Sequence, residues 1–293
     1  MSGTPEMAAP HLSAYETYYQ RAGLAEYERV FQHNAELDIE VAVYTERMAT
    51  WPGLHAPSLR ILDIGCGLGT FTIKLLQSLF NRADGAAQRP PPALTFDLID
   101  INPTAFEEFK PALSKLQGIA TNVDQTAAVA WQDVATDELP GKYDLIVANH
   151  TFYGAPINSH LIQSLLDRLA PNGLILLALC SHRSDIYQMR RRVGIEINTG
   201  EDIEHALLAS HCNIIRVPYE SKFYFDLNQP MFRSWLFATA SADDATQVRL
   251  IDEYKRNDGR MDYMTNRALI HILWHPSDVD AAEGESPPSP ADW

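Results

Sequence analysis

One ten-residue stretch constrains this chain more than any other: Ile61-Leu62-Asp63-Ile64-Gly65-Cys66-Gly67-Leu68-Gly69-Thr70. Residues 59–64 form an apolar, β-branched run that reads as a parallel strand. The helix-period set Phe71, Ile73, Leu75, Leu76 and Leu79 follows directly after the glycines. Alternating glycines let the chain turn sharply while its backbone closes on a ligand, where no Cβ fits. The spacing is G-x-G-x-G, with an acid two residues before the first glycine. The dinucleotide fingerprint G-x-G-x-x-G places its third glycine one residue later, which disfavours a nicotinamide oxidoreductase.

The text around this loop alternates strand and helix. Strands are expected at 59–65, 94–100, 128–133, 143–149 and 174–180, with helices at 70–80, 103–116 and 158–169. Near-continuous apolar strands such as Leu145-Ile146-Val147-Ala148 argue for a parallel sheet covered on both faces, hence an α/β fold. Beyond residue 180 come helices at 183–193 and 200–211, strand text at 214–217 and 222–227, a helix at 243–256 and a last strand at 268–274. Residues 81–93, with Arg89-Pro90-Pro91-Pro92, read as a surface insertion without catalytic content.

Residues 11–48 read as helical, with Tyr15, Tyr18, Tyr19, Leu24, Tyr27 and Phe31 among charged residues, and Trp51-Pro52-Gly53 closes this element. The small, polar stretch 1–10 and the acidic, Pro/Ser-rich stretch 278–293 read as disordered. Between them lies one expected domain, 11–277, divided into a helical lid (11–56) and a Rossmann-like core (57–277).

The net charge of −15, with no basic block longer than Arg190-Arg191-Arg192, argues against nucleic acid as a partner. Three cysteines give no disulfide framework and fit a reducing compartment. No secretory signal is visible, and no stretch approaches the roughly 18 apolar residues of a membrane span. The expected location is cytoplasmic. No His/Cys/Asp/Glu set has metal-ligand spacing, and no G-x-S-x-G or Cys-His arrangement suggests a covalent nucleophile.

In a doubly wound sheet, ligands bind beyond the carboxyl ends of the strands, where the winding reverses. The second strand ends Leu98-Ile99-Asp100-Ile101-Asn102-Pro103. A carboxylate there can accept two hydrogen bonds from the ribose hydroxyls of an adenosine. Asp100 could instead cap the next helix, a role that Asn102 fills better. The third strand end reads Trp131-Gln132-Asp133-Val134.

The glycine loop, Asp63 and Asp100 together resemble the class I S-adenosylmethionine-dependent methyltransferases. The resemblance implies a Rossmann-like, seven-stranded, mostly parallel sheet with helices on both faces, and S-adenosylmethionine as cofactor. It implies that Asp63 helps hold the loop and the methionine moiety, while Gly65, Cys66, Gly67 and Gly69 pass beneath the cofactor. Asp100, with Ile101 beside it, would meet the ribose. Asp133 would meet the adenine amino group, with Val134 or Trp131 packed on the ring. Asn149, ending the fourth strand, completes the implied cofactor set.

The run after that strand is His150-Thr151-Phe152-Tyr153-Gly154, against the cofactor's methyl side. A DNA amine methyltransferase would carry an Asn/Asp-Pro-Pro-aromatic run here. His150 could take a proton from the acceptor or orient it, or it could be a structural histidine bonded to a nearby loop carbonyl. His182, His271 and His275 read as solvated or packed. In outline the chain is also similar to the histamine N-methyltransferase group: a helical lid, an aromatic-bearing loop, a helix at 200–211 and an Asn before the last strand. That likeness implies substrate contacts at His150 and Asn266, and Tyr19 in the lid and Tyr153 in the aromatic loop are expected beside them. The glycine loop follows the wider class I pattern and the loop's polar residue is a His, so a small nitrogen-bearing molecule is expected rather than histamine.

The function expected from the sequence is methylation of a small molecule in secondary metabolism, with nitrogen ahead of oxygen as acceptor. Two readings stand beside it: an O-methyltransferase of a hydroxylated metabolite, and a non-catalytic S-adenosylmethionine-binding regulatory partner.

Overall fold

The computed structural model describes Tyr19 and residues 34–80, 91–134, 139, 141–227, 230–237 and 242–274. The strands are β1 (Ser58–Ile64), β2 (Ala93–Ile99), β3 (Thr121–Ala127), β4 (Tyr143–Asn149), β5 (Leu169–Cys180), β6 (Ile214–Phe225), the two-residue β7 (Arg256–Asn257) and β8 (Asp262–Trp274). The helices are α1 (Glu36–Arg47), α2 (Thr70–Phe80), α3 (Ala105–Ala112), α4 (Ser159–Leu166), α5 (Asp185–Arg192), α6 (Gly200–Ala209), α7 (Pro230–Leu236) and α8 (Asp244–Tyr254).

The sheet runs β3-β2-β1-β4-β5-β8-β6, with β7 paired to β8 off this path. β1 to β5 are mutually parallel, whereas β8 is antiparallel to both β5 and β6. This is the Rossmann-like, seven-stranded, mostly parallel sheet expected, with β7 as a short addition.

Side-chain alternation divides the core into two layers. β4 sends Leu145 and Val147 into a layer closed by α1, α2 and α3, and Ile146 and Ala148 into one closed by α4 and α6. Each fully buried aliphatic side chain contributes about 1.5–3 kcal/mol, so apolar strands need cover on both faces. A third cluster joins Phe223, Phe225 and Met264 to α5, α7 and α8. Helix starts are locally encoded. The Asn158 side chain accepts from Leu161 N at 3.0 Å, and Thr199 and Asp202 form a capping box at α6.

Several elements differ from expectation, among them β5, which begins at Leu169 rather than 174. The third strand is Thr121–Ala127 rather than 128–133. It is an edge strand alternating between half-buried and exposed residues, so its polar content hid it, while the apolar text after it forms a turn. Strand text at 214–217 and 222–227 is one strand through Pro218. As an edge, β6 tolerates a proline whose missing N–H faces outward. The last strand begins at Asp262, not 268, and α7 was not expected. The expected tails at 1–10 and 278–293, most of the insertion at 81–93, and the lid residues Tyr15, Tyr18, Leu24, Tyr27 and Phe31 lie outside the described residues, as does His275. The rest of the lid text contributes α1, tied to the sheet by Tyr44 Oη donating to Leu177 O at 2.9 Å.

Candidate active site

β1 lies between β2 and β4, so the winding reverses there and a crevice opens beyond the strand ends. A cavity of about 560 Å3 fills it, within the ordinary range for small-ligand sites. One end is lined by the glycine loop, Asp100, Ile101, Trp131 and Gln132; the other by Glu36, Glu40, His150, Tyr153, Ile186 and Phe223.

The three glycines do different jobs. All have positive φ, at 69° for Gly65, 49° for Gly67 and 74° for Gly69. A Cβ on Gly65 would lie 1.5 Å from Thr151 Oγ1, and one on Gly69 would lie 2.6 Å from the Phe109 ring. At Gly67 the nearest atom is Tyr19 Oη at 3.6 Å, so a side chain there would enter the cavity instead. Gly67 N donates to Asp100 Oδ2 at 2.9 Å, and Asn102 N donates to Asp100 Oδ1 at 2.8 Å. The loop thus aims the Asp100 carboxyl, leaving each oxygen a lone pair for a ligand. Burial raises Asp100 to about 6, against the lowering by those two N–H groups.

Asp63 stands behind the loop and is not part of the cavity wall. Its Oδ2 is buried with no hydrogen-bond partner among the described residues. Burial raises its carboxyl to about 7, against a Thr72 hydrogen bond and with help from Asp100. A backbone cradle that only glycine keeps open and an aimed carboxyl fit S-adenosylmethionine. Gly67, Asp100 and Ile101 would hold it, with Trp131 and Gln132 farther along.

At the other end, His150 adopts φ 54°, and its N–H donates to Ala178 O at 2.8 Å. A non-glycine residue held there stores about 1–3 kcal/mol of strain, a pattern found at working sites. Its Nε2 lies 2.6 Å from Glu40 Oε1 and its Nδ1 lies 2.7 Å from Tyr153 Oη. Asn149 Nδ2 donates to Glu40 Oε2 at 2.9 Å. Glu36 Oε1 is 3.6 Å from His150 Nε2 and accepts from Asn266 Nδ2. Tyr219 Oη lies 2.9 Å from Glu36 Oε1 and also bonds Glu40 Oε1. Burial alone would lower the imidazole, but the charges of Glu40 and Glu36 win and raise it to about 9.

Of the residues expected from the sequence, Gly65, Cys66, Gly67, Asp100, Ile101, Asn149, Tyr19, His150, Tyr153 and Asn266 line this one cavity. Gly69 packs behind it. Asp133 and Val134 do not line it. The third strand ends earlier than expected, so the chain reaches the cavity through Val129 to Gln132 and Asp133 turns to solvent. Glu36, Glu40 and Tyr219 were not anticipated. Glu36-x-x-x-Glu40 on one helix face was a readable signal, because like charges one turn apart oppose each other unless something lies between them. The sequence holds no set with metal-ligand spacing, yet the fold gathers three such residues. Glu36, Glu40 and His150 bring ligand-type atoms within 4.8 Å of one another, through the fold rather than through spacing. A hydrogen bond joins His150 to Glu40, and Tyr219 bridges Glu40 to Glu36.

Comparison with known proteins gives the cavity its family. A model of the methyltransferase domain matches residues 31–276. The chain belongs to the methyltransferase-domain family. It is an S-adenosylmethionine-dependent methyltransferase. Highly reducing polyketide synthase 40 of Fusarium pseudograminearum is 27% identical over 165 residues, which are 55% of this chain but 6% of that synthase. This methyltransferase therefore spans only a small part of that relative's length. In fold it is similar to a candidate methyltransferase of Bacillus halodurans C-125, with TM-score 0.53 and 12% identity over 81% of this chain and 99% of that one. It also resembles the plantazolicin methyltransferase BamL, solved with a triazolic desmethylPZN analogue and SAH. There the TM-score is 0.50, with 15% identity over 89% and 94% of the two chains. Among the described residues, no helix is long and apolar enough to cross a membrane.

Proposed function

We propose that this methyltransferase methylates a small secondary metabolite at an atom whose proton His150 removes, in a cytoplasmic setting. The observation that carries the reading is the Glu40–His150 pair on the cavity wall, with His150 Nδ1 toward Tyr153 Oη. S-adenosylmethionine supplies an activated methyl group on its sulfonium. The protein's task is to align the acceptor, exclude water and accept the proton, and alignment alone is worth up to about 7–11 kcal/mol. Glu40 fixes the imidazole and stabilises its charged form, while Tyr153 Oη, on the cavity wall and 2.7 Å from Nδ1, takes the acceptor's proton as it gives its own to the ring.

Base strength narrows the acceptor. A histidine raised to about 9 is strong enough to take the proton of a phenol or enol, and it becomes free to do so as pH rises toward that value, near which a general base works best. A protonated amine matches in pKa but not in charge. The buried Arg190 guanidinium lines the same end of the cavity, 4.7 Å over Trp235, and disfavours a second cation. Arg190 thus moves weight from the nitrogen that the sequence favoured to a hydroxyl oxygen, leaving an amide nitrogen as the second reading. Ile186, Phe223 and Trp235 fit an acceptor with an apolar body. The likeness to a polyketide synthase is consistent with a hydroxylated or enolic metabolite.

The test is turnover with S-adenosylmethionine on a panel of phenols, enols, amides and amines, reading product mass. Methylation of amines alone would overturn the oxygen reading.

A further inference from the structure

Three contacts in the buried cluster must each hold a proton: Glu36 to Tyr219, Tyr219 to Glu40, and Glu40 to His150. The His150 Nε2–H fills the last. The Tyr219 hydroxyl has one proton and fills one of the other two. The third contact would otherwise set oxygen lone pairs against each other, so one carboxyl carries a hydrogen. Glu40 already faces the imidazole at 2.6 Å and accepts from Asn149 at 2.9 Å. Glu36 stands 3.6 Å from the same nitrogen and is supported by neutral partners, Asn266 and Tyr219. Ser184 Oγ in turn holds Asn266 Oδ1 at 2.7 Å.

We infer that Glu36 is a neutral carboxylic acid in the working protein, donating to Tyr219, which donates to Glu40, so that Glu40 is the single charged partner of His150. Glu36 is thus a positioning residue acting through Tyr219 and Glu40. The groups facing it are Glu40 on its own helix, His150 beyond β4, Tyr219 on β6, Asn266 on β8 and Cys180 at the end of β5. Directions agree: burial, aided by the Glu40 charge, raises the Glu36 carboxyl, while the His150 charge and hydrogen bonds bring Glu40 below its usual value against burial.

The consequence is a single charged partner: with Glu36 neutral, only the Glu40 carboxylate faces the imidazole, and it alone stabilises the ring when His150 holds a proton. This role rests on His150 as the base, but the protonation itself does not.

The experiment uses the full chain without cofactor, its glutamate carboxyls labelled with 13C, followed by NMR through about pH 8, where an ordinary glutamate is ionised. The His150 ring protons are titrated in parallel in the parent, Glu36→Gln and Glu40→Gln. One glutamate carboxyl should keep the shift of an acid and vanish in Glu36→Gln. The His150 midpoint should stay within about half a unit in Glu36→Gln and fall by more than about one unit in Glu40→Gln. A parent with no acid-form glutamate overturns the inference, as does a His150 midpoint that falls by a unit in Glu36→Gln. The labelled parent decides alone if a variant does not fold. Normal midpoints with no activity toward any acceptor would remove the proposed function while leaving Glu36 protonated.

Discussion

His150 and Glu40 lie 110 residues apart in sequence and 2.6 Å apart in space, one on a strained turn beyond β4 and the other on α1. The carboxylate stabilises the imidazolium, and the ring's second nitrogen faces Tyr153. Glu40→Gln should therefore lower turnover about 100-fold or more, the usual scale for an impaired general base, and move the acidic limb of the pH–rate profile to lower pH. His150→Ala should lose as much turnover with little change in affinity for S-adenosylhomocysteine. Both are read by steady-state kinetics beside calorimetry, and unchanged turnover in His150→Ala would return that residue to a structural role.

Protons also govern stability. The folded His150 is raised to about 9 from 6.5, so its contribution is complete below 6.5 and is lost as pH rises through 9. His271 runs the other way. It is fully buried on β8, neither ring nitrogen has a partner among the described residues, and burial lowers it to about 4. Its contribution is present above 6.5 and is lost as pH falls toward 4. Denaturant unfolding at stepped pH should show His150→Gln flattening the alkaline decline and His271→Phe flattening part of the acid one. A parent curve that is flat from neutral to alkaline pH would refute the buried ion pair.

The glycine loop and Asp100 were legible because each is a local event, a strand end that must present backbone or carboxyl to a ligand. The third strand was not. Thr121, Asn122, Asp124 and Gln125 suit an edge strand with one open side, whereas Val129 to Trp131 are apolar because they line a cavity. Asp133 was misplaced by that shift. The proton-handling cluster was legible only at His150. Glu36, Glu40 and Tyr219 come from a helix and a strand on opposite sides of the chain's core text, and nothing within either segment says that they meet. Only the insertion of β8 between β5 and β6 brings Tyr219 and Asn266 over α1.

Asp100 links cofactor affinity to pH. Its folded value of about 6 means that part of the population is protonated below neutrality, when the carboxyl is a poorer acceptor. A ligand hydroxyl bonded to the carboxylate should pull that value down, so binding releases protons. Affinity for S-adenosylhomocysteine should rise several-fold between about pH 5 and 8, with calorimetric proton release in buffers of different ionisation enthalpy. Asp63, raised to about 7, adds to the trend only if its orphaned oxygen gains a donor on binding. Asp100→Asn should abolish most of the Asp100 dependence and lower affinity about 10-fold or more, as loss of a charged acceptor predicts. A pH-independent affinity in the parent would separate Asp100 from the ligand.

The glycines offer the sharpest separation of fold from binding. A Cβ at Gly65 would meet Thr151 Oγ1 at 1.5 Å, and Thr151 Cβ at 2.6 Å leaves no room to rotate away. Gly65→Ala should destabilise the protein by about 1–3 kcal/mol through steric crowding and positive φ, and lower the midpoint of thermal unfolding. A side chain at Gly67 meets nothing closer than Tyr19 Oη at 3.6 Å, so Gly67→Leu carries only the left-handed backbone cost of about 1–2 kcal/mol. Its four carbons would occupy the space beneath Asp100, and S-adenosylhomocysteine affinity should collapse while cooperative unfolding persists. Should Gly67→Leu bind as the parent does, the cofactor does not pass over this loop.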